Sequence, residues 1–320
     1  MDITEEELLA AIAKVLSGAG PEVVVGVGDD AAVLSPTAGQ LVITTDAMVE
    51  GTHFRRSTTS ARDLGYKAIA VNVSDIAAMA ASPRAAVCAL TLSGAVDAAW
   101  TIELFGGMRE ACDEYALWLV GGNLARGPEV TVAVTVTGEV APGRAVRRSG
   151  ARPGDVLVVT GSLGGSAAGL RIAGARASSW TADERDALAR HLRPVARVGE
   201  AQILAGRGAT AMIDISDGLA LDLARLCRAS GVGAEVEAAG IPVHPAASLK
   251  EALSGGEDYE LVAAMPADAC AEAADEVKEQ FGVPLSVIGR VTAEPGLVLV
   301  GDDGEGQPLE PSGWDHFGRS

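Results

Sequence analysis

The chain has 320 residues, with 43 acidic against 25 basic side chains and a formal charge of −18; at roughly 150 residues per domain, that is the length of two domains with real cores. So acidic a balance excludes nucleic acid bound through a basic surface as a partner. Although 48% of the residues are hydrophobic, no stretch reaches the ~20 apolar residues of a spanning helix, so no membrane partner is expected.

Along the chain, residues 1–7 offer neither a basic segment nor an early apolar core, and a cytoplasmic location is expected. An amphipathic stretch over 5–16 predicts a helix, and the β-branched run 23–27 predicts a strand that stops at Gly28-Asp29-Asp30. The same grammar recurs where 41–45 runs into Asp46, 117–120 into Gly121-Gly122-Asn123, and 211–213 into Asp214. Strands thus deliver polar groups to loops. The alanine-rich region 61–81 predicts a helix in two pieces, because Asn72, Ser74 and Asp75 offer caps for a second start and Pro83 ends it. Residues 86–92 and 130–140 predict further strands of one mixed sheet.

Turn formers and arginines between Pro142 and Pro153 mark a boundary, dividing the chain into 1–143 and 144–320. The second part opens with a strand at 155–160 and a glycine-rich turn at 161–166 leading to a helix at 167–173. Helices near 183–192, 217–229 and 267–281 and strands near 258–265, 285–291 and 296–300 complete it.

Acidic clusters recur at these strand ends: Asp29-Asp30, Asp46 with Glu50, Asp75, Asp214 with Asp217, and Glu257-Asp258. Singly, each reads as a turn or a helix cap. Together they would repel one another without cations among them, and Mg²⁺ takes one or two carboxylates plus substrate phosphates. A nucleotide-dependent enzyme follows, although the Walker, kinase-loop and dinucleotide glycine signatures are all missing. The 161–165 glycine turn either presents N–H groups to an anion or merely connects strand to helix. Ser216 sits near a helix N-cap, and Arg126, Arg147 and Arg148 are either phosphate contacts or solvated surface. His53 shares a loop with Asp46 and is a candidate substrate contact, whereas His191, His244 and His316 read as surface or packing residues. Cys88, Cys112, Cys227 and Cys270 lack metal spacing and read as buried thiols, and no arrangement supports covalent catalysis.

Taken in order, GVGDDAAVL at 26–34, TTD at 44–46, VEGTHF at 49–54, KAIAVNVSDIAAM at 67–79, GGN at 121–123 with RGP at 126–128, RSGA at 148–151, IDISDGL at 213–219, LSGGEDYEL at 253–261 and WDHF at 314–317 resemble the thiamine-monophosphate kinase family. That family belongs with aminoimidazole ribonucleotide synthetase, selenophosphate synthetase and the hydrogenase-maturation carbamoyl dehydratase. The resemblance implies an α+β N-terminal mixed-sheet domain that pairs into a dimeric β-barrel, and a C-terminal α/β domain. It implies ATP and thiamine monophosphate as substrates, direct in-line phosphoryl transfer, a homodimer, several Mg²⁺ ions and room for a monovalent cation. By matching position it implies Asp30, Thr44, Thr45, Asp46, Asp75, Asn123, Asp214 and Asp217 for metal, with Asp46, Asp75 and Asp214 catalytic. Gly122, Asn123, Arg148 and Ser216 match the ATP contacts, and His53, Glu257 and Trp314 the thiamine-phosphate contacts. The family's Gly-Gly-Asp is Gly121-Gly122-Asn123 here. Asn123 keeps a carbonyl ligand and loses the charge, so either one Mg²⁺ is held more weakly or neighbouring acids compensate. Other superfamily activities fit less well, because the first cysteine is Cys88 and the chain's last residues hold none; a non-catalytic nucleotide or Mg²⁺ sensor is the reading that Asn123 keeps open.

Overall fold

The computed structural model describes residues 4–16, 18, 20–27, 31–175 and 179–314. The chain divides into two units, one of residues 1–76 and 81–143, the other of 77–80 and 144–320.

In the first unit, helix α1 (Glu5–Val15) starts at a capping box, in which the Thr4 hydroxyl accepts from Glu7 N–H and the Glu7 carboxylate accepts from Thr4 N–H. Short strands β1 (Val23–Val25) and β2 (Val33–Leu34) pair antiparallel. Strand β3 (Gln40–Val49) is followed by α2 (Ala61–Ala78), β4 (Ser82–Leu92), α3 (Ala98–Glu114), β5 (Trp118–Arg126) and β6 (Thr131–Val140). The sheet order is β3-β6-β4-β5, with β4 and β5 parallel and the other pairs antiparallel. Along β6, Val132, Val134 and Val136 are buried on one face, while Leu41, Ile43 and Val87 of the neighbouring strands are exposed by 60%, 65% and 40%. Helices α2 and α3 approach so closely that a Cβ on Gly65 would lie 1.9 Å from the Leu104 carbonyl oxygen.

Helix α2 is continuous where two pieces were expected. Asn72 is buried and its amide N–H donates to the Ala68 carbonyl one turn back at 2.9 Å, so its side chain bonds back within the helix instead of capping a new one, while its Oδ1 has no hydrogen-bond partner among the described residues. The helix ends at Ala78, in a turn where Ala80 takes φ 55°, and Pro83 already lies within β4. The strands also run further than expected: β3 continues through Asp46, and β5 through Gly122 and Asn123.

The second unit runs β7 (Val156–Thr160), α4 (Gly165–Ala173), α5 (Ala182–Leu192), α6 (Val198–Gly206), β8 (Ala211–Asp214), α7 (Leu219–Ser230), β9 (Gly233–Glu237), α8 (Leu249–Ser254), β10 (Leu261–Met265), α9 (Ala267–Phe281), β11 (Leu285–Thr292), β12 (Gly296–Val300) and β13 (Gly306–Pro308). Among the described residues its sheet has the order β13-β12-β9-β11-β7-β10-β8, and only β9 and β12 pair in parallel. The central strands are apolar on both faces, as a sheet covered on both sides requires. Leu157, Val159, Ile213 and Val262 join one core cluster; Val158, Met212, Leu261 and Ala263 join the other. Strand β10 begins at Leu261, three residues later than its sequence suggests, because Glu257 and Tyr259 hold φ of 57° and 51° and cannot lie in a regular ladder. Helices α3, α6 and α8 and strands β2, β9 and β13 are not among the elements expected from the sequence.

Candidate active site

In the first unit Thr44, Thr45, Asp46, Gly122 and Asn123 sit within the edge strands β3 and β5, each held by the ladder to one neighbour, whereas Asp75 lies on α2 and His53 beyond the end of β3. The Thr44 hydroxyl donates to Asp75 Oδ2 at 2.5 Å, tying β3 to α2. Strand alternation turns Thr45 to the opposite face. There its hydroxyl donates to the Val134 carbonyl at 3.1 Å and accepts from the Thr135 hydroxyl at 3.0 Å, away from Asp75. The same alternation returns Asp46 to the side of Thr44. Beyond β3 the chain turns through Gly51, φ 87°, and His53 Nδ1 accepts from Val49 N–H at 3.0 Å. A ring that accepts at Nδ1 carries its proton on Nε2 when neutral, and so can donate from that nitrogen. The His53 loop is braced by Arg56, which donates to Glu50 at 2.6 Å and to the Ala95 carbonyl at 3.3 Å. On β5, Gly122 lies so near β4 that a Cβ would stand 2.0 Å from the Cys88 carbonyl oxygen, so any larger residue would push the strands apart. Asn123 pairs in register with Ala89 and is exposed. Asp30 lies outside the described residues.

In the second unit the site residues sit on loops that follow strand ends, and buried acids hold those loops in place. Asp214 is the last residue of β8 and is buried. After it, Ile215 N–H donates to the Glu260 carbonyl and Tyr259 N–H to the Ile215 carbonyl, extending the ladder irregularly. Two consecutive carbonyls then gather the rest: Ser216 accepts from Glu257 N–H at 2.7 Å, and Asp217 accepts from Trp314 N–H at 3.0 Å. This brings Ser216, Asp217, Glu257 and Trp314 to one place on this unit, with the Trp314 residue half exposed at 50%. Arg148 is exposed, and its carbonyl accepts from the Ser230 hydroxyl at 3.0 Å.

Ser216 is not the helix cap. The N-cap of α7 is Gly218, φ 117°, without a side-chain cap bond. The capping work falls to Asp222, fully buried in the first turn, whose Oδ2 accepts from both Ser216 N–H (3.1 Å) and Asp217 N–H (2.9 Å). Burial, with the neighbouring Asp217 charge, raises the Asp222 carboxyl above its ordinary range, against the pull of the Asp217 N–H and of Arg225. The Arg225 guanidinium reaches Asp217 at 2.5 Å and Asp222 at 2.6 Å, so one cation bridges the two acids. Sequence reasoning passed over Asp222 and Arg225; the available signal was an acid in the first turn and an arginine one turn later.

The glycine turn at 161–165 has its own internal anion. Gly164 N–H and Ser166 N–H at the start of α4 donate to the Asp258 carboxylate at 2.8 and 3.3 Å. That occupies the Gly164 N–H, and the Gly161 and Leu163 N–H groups of the same turn donate to the Pro284 and Pro242 carbonyls at 2.9 and 2.7 Å. Burial pushes the Asp258 carboxyl up to about 7, against the lowering effect of the two N–H donors. Beneath it the fully enclosed Glu260 is held bidentately by Arg197 at 2.7 and 2.6 Å. Burial alone would lower the Arg197 pKa, and the Glu260 charge more than offsets it. The four cysteines are buried, and burial pushes the thiols of Cys88 and Cys112 up to about 12 and of Cys227 up to about 11, which makes them poor nucleophiles.

Among the described residues no group of three or more His, Cys, Asp and Glu side chains is placed to hold a metal, and no helix is long and apolar enough to cross a membrane. What each unit does present is hard oxygen: Thr44, Asp46 and Asp75 in the first, Asp214 and Asp217 in the second. Carboxylate and hydroxyl donors of this kind fit Mg²⁺ better than a softer metal.

Two families match the chain: AIR synthase related protein, N-terminal domain, over residues 28–140, and AIR synthase related protein, C-terminal domain, over 152–302. A thiamine-monophosphate kinase of Escherichia coli K12 is 42% identical over 309 residues, covering 92% of this chain and 93% of the relative. The crystal structure of thiamine-monophosphate kinase from Stenotrophomonas maltophilia superposes with a TM-score of 0.84 at 35% identity, covering 96% of this chain and 99% of that one. A solved complex of AaThiL with AMPPCP and TMP superposes with a TM-score of 0.77 at 33% identity, covering 98% and 97%.

Proposed function

The chain belongs to the thiamine-monophosphate kinase family, and from that premise we propose that it transfers the γ-phosphoryl group of ATP to the phosphate of thiamine monophosphate, yielding thiamine diphosphate and ADP. The observation that carries the reading is the pair of adjacent carbonyls, Ser216 and Asp217, that gather Glu257 and Trp314 beside the strand end bearing Asp214. A nucleotide contact, an acid for metal and an aromatic face for the thiamine rings thereby share one neighbourhood. The relative solved with AMPPCP and TMP supports both substrates.

The attacking oxygen is a phosphate oxygen, already ionised near neutral pH, so the reaction asks for positioning and charge neutralisation and needs no strong general base. Asp30, Thr44, Thr45, Asp46, Asp75, Asn123, Asp214 and Asp217 are proposed to hold Mg²⁺, which supplies the screening between the two anionic reactants. Thr45 has its hydroxyl committed to Val134 and Thr135, which leaves its carbonyl as the oxygen to offer. Gly122, Arg148 and Ser216 contact ATP, and Asn123 does so beside the metal. His53, Glu257 and Trp314 contact thiamine monophosphate, His53 by donating from Nε2.

We assign the 1–143 region to ATP, Mg²⁺ and dimerisation and the 144–320 region to the C-terminal domain. The exposed Leu41, Ile43 and Val87 lie on the face of the β3-β6-β4-β5 sheet opposite the buried valines of β6, and a second copy covers that face in a homodimer. The location is the cytoplasm, where ATP is available. The test incubates the protein with ATP, Mg²⁺ and thiamine monophosphate and measures ADP and thiamine diphosphate. Turnover in this mixture and not with free thiamine is expected; ATP binding without turnover favours the sensor reading.

A further inference from the structure

His191 stands on the last turn of α5, 6% exposed, and the sequence marks it as a packing residue. Its surroundings are more specific. The ring Nδ1 lies 3.0 Å from the Ser166 hydroxyl and 3.3 Å from Glu257 Oε2. Ser166 is itself buried on α4, and its backbone N–H is bound by Asp258, the neighbour of Glu257. Helices α4 and α5 are held close at this point, because a Cβ on Gly169 would stand 2.7 Å from the His191 Cβ and 2.2 Å from the Ala187 carbonyl oxygen. The imidazole therefore has little freedom to move. A proton on Nδ1 serves both contacts, donated toward the Glu257 carboxylate and toward the Ser166 oxygen.

Glu257 needs such a hold. Its backbone is in the left-handed region at φ 57°, between Gly256 at 70° and an anchored Asp258, and this conformation is unfavourable for a residue with a side chain. The backbone bond from Glu257 N–H to Ser216 fixes where the residue is, while the carboxylate end, on a side chain 29% exposed, is oriented from behind by the ring.

We propose that His191, with Ser166 behind it, is a positioning residue that orients the Glu257 carboxylate toward the nitrogen-bearing ring of the second substrate and so sets the affinity for that substrate alone. The inference rests on the reading of Glu257 as a thiamine-phosphate contact. A carboxylate that accepts from an amino group or a ring N–H gains directional strength only when its rotamer is fixed beforehand. The histidine acts on substrate only through the acid, and the ATP side of the reaction does not depend on it.

The experiment compares His191→Leu, His191→Asn, Ser166→Ala, Glu257→Gln and the double variant His191→Leu/Glu257→Gln in steady-state kinetics with both substrates varied. His191→Leu is expected to raise KM for thiamine monophosphate about fivefold to tenfold, with KM for ATP within about twofold of the parent. His191→Asn, which can keep an N–H donor near the Nδ1 position, is expected within about twofold of the parent, and Ser166→Ala to give about a threefold rise for thiamine monophosphate alone. The double variant should be no worse than Glu257→Gln. A raised KM in Glu257→Gln with no change in His191→Leu overturns the positioning role and leaves the Glu257 contact standing. No effect of Glu257→Gln overturns both. Equal rises for the two substrates, or an Asn variant as impaired as the Leu one, show a packing role and overturn the proposal. If His191→Leu does not fold, Ser166→Ala decides by the same split between the two KM values.

Discussion

The two units hold their candidate site residues by different means. In the first, Thr44, Asp46, Gly122 and Asn123 are strand residues, and their positions follow from a sheet register that many backbone bonds enforce at once. In the second, Ser216, Asp217, Glu257 and Trp314 are loop residues, and each depends on one or two particular bonds, from Asp222, from Asp258 or from a neighbouring carbonyl. A ladder is redundant, so a strand can lose a functional side chain and keep its geometry. A loop anchored by single buried acids lacks that redundancy, and its geometry is as fragile as its weakest anchor.

The sharpest test of this contrast replaces the acids of the first unit, Asp46 on β3 and Asp75 on α2. Asp46→Asn or Asp75→Asn is expected to lower kcat by about a hundredfold or more while the melting temperature stays near the parent's. An unchanged kcat would remove these acids from the metal set, and a collapse of the fold would break the contrast itself. Next comes the anchor of the second unit. Asp222→Ala leaves two loop N–H groups and part of the Arg225 charge without their acceptor, for an expected loss of about 2–4 kcal/mol in denaturant unfolding together with loss of activity. Stability within about 0.5 kcal/mol of the parent would show that the loop does not depend on this acid.

Trp314→Ala is expected to remove about 1 kcal/mol of ring contact and raise KM for thiamine monophosphate about fivefold, with KM for ATP little changed. Equal changes for the two substrates would take the tail out of the thiamine contact. The smallest effect belongs to Asn123→Asp. Its side chain is exposed on a paired strand, so stability should not move, while the Mg²⁺ concentration for half-maximal activity should fall about threefold as the added charge strengthens one ion. An unchanged Mg²⁺ requirement would separate Asn123 from the metal.

Much of this could be read from the residues alone. The β-branched runs mark the strands, the turn formers near 142–153 mark where one pattern gives way to another, and the recurrence of acids beside strand ends points to cations and phosphate. These are local properties, written in periodicity and composition, and the ordered motifs add the family. Tertiary contacts decided the rest. Asn72 has the chemistry of a cap, and only its burial in a continuous helix shows that it does not act as one. The 161–165 glycines have the look of a phosphate turn, and only the arrival of Asp258 from about ninety residues away, bound to Gly164, shows that the anion is already internal. The same long-range closure singles out His191, whose contacts with Ser166 and Glu257 carry no local signal. A carboxylate's partner depends on where the chain returns in space, and linear spacing does not encode that return.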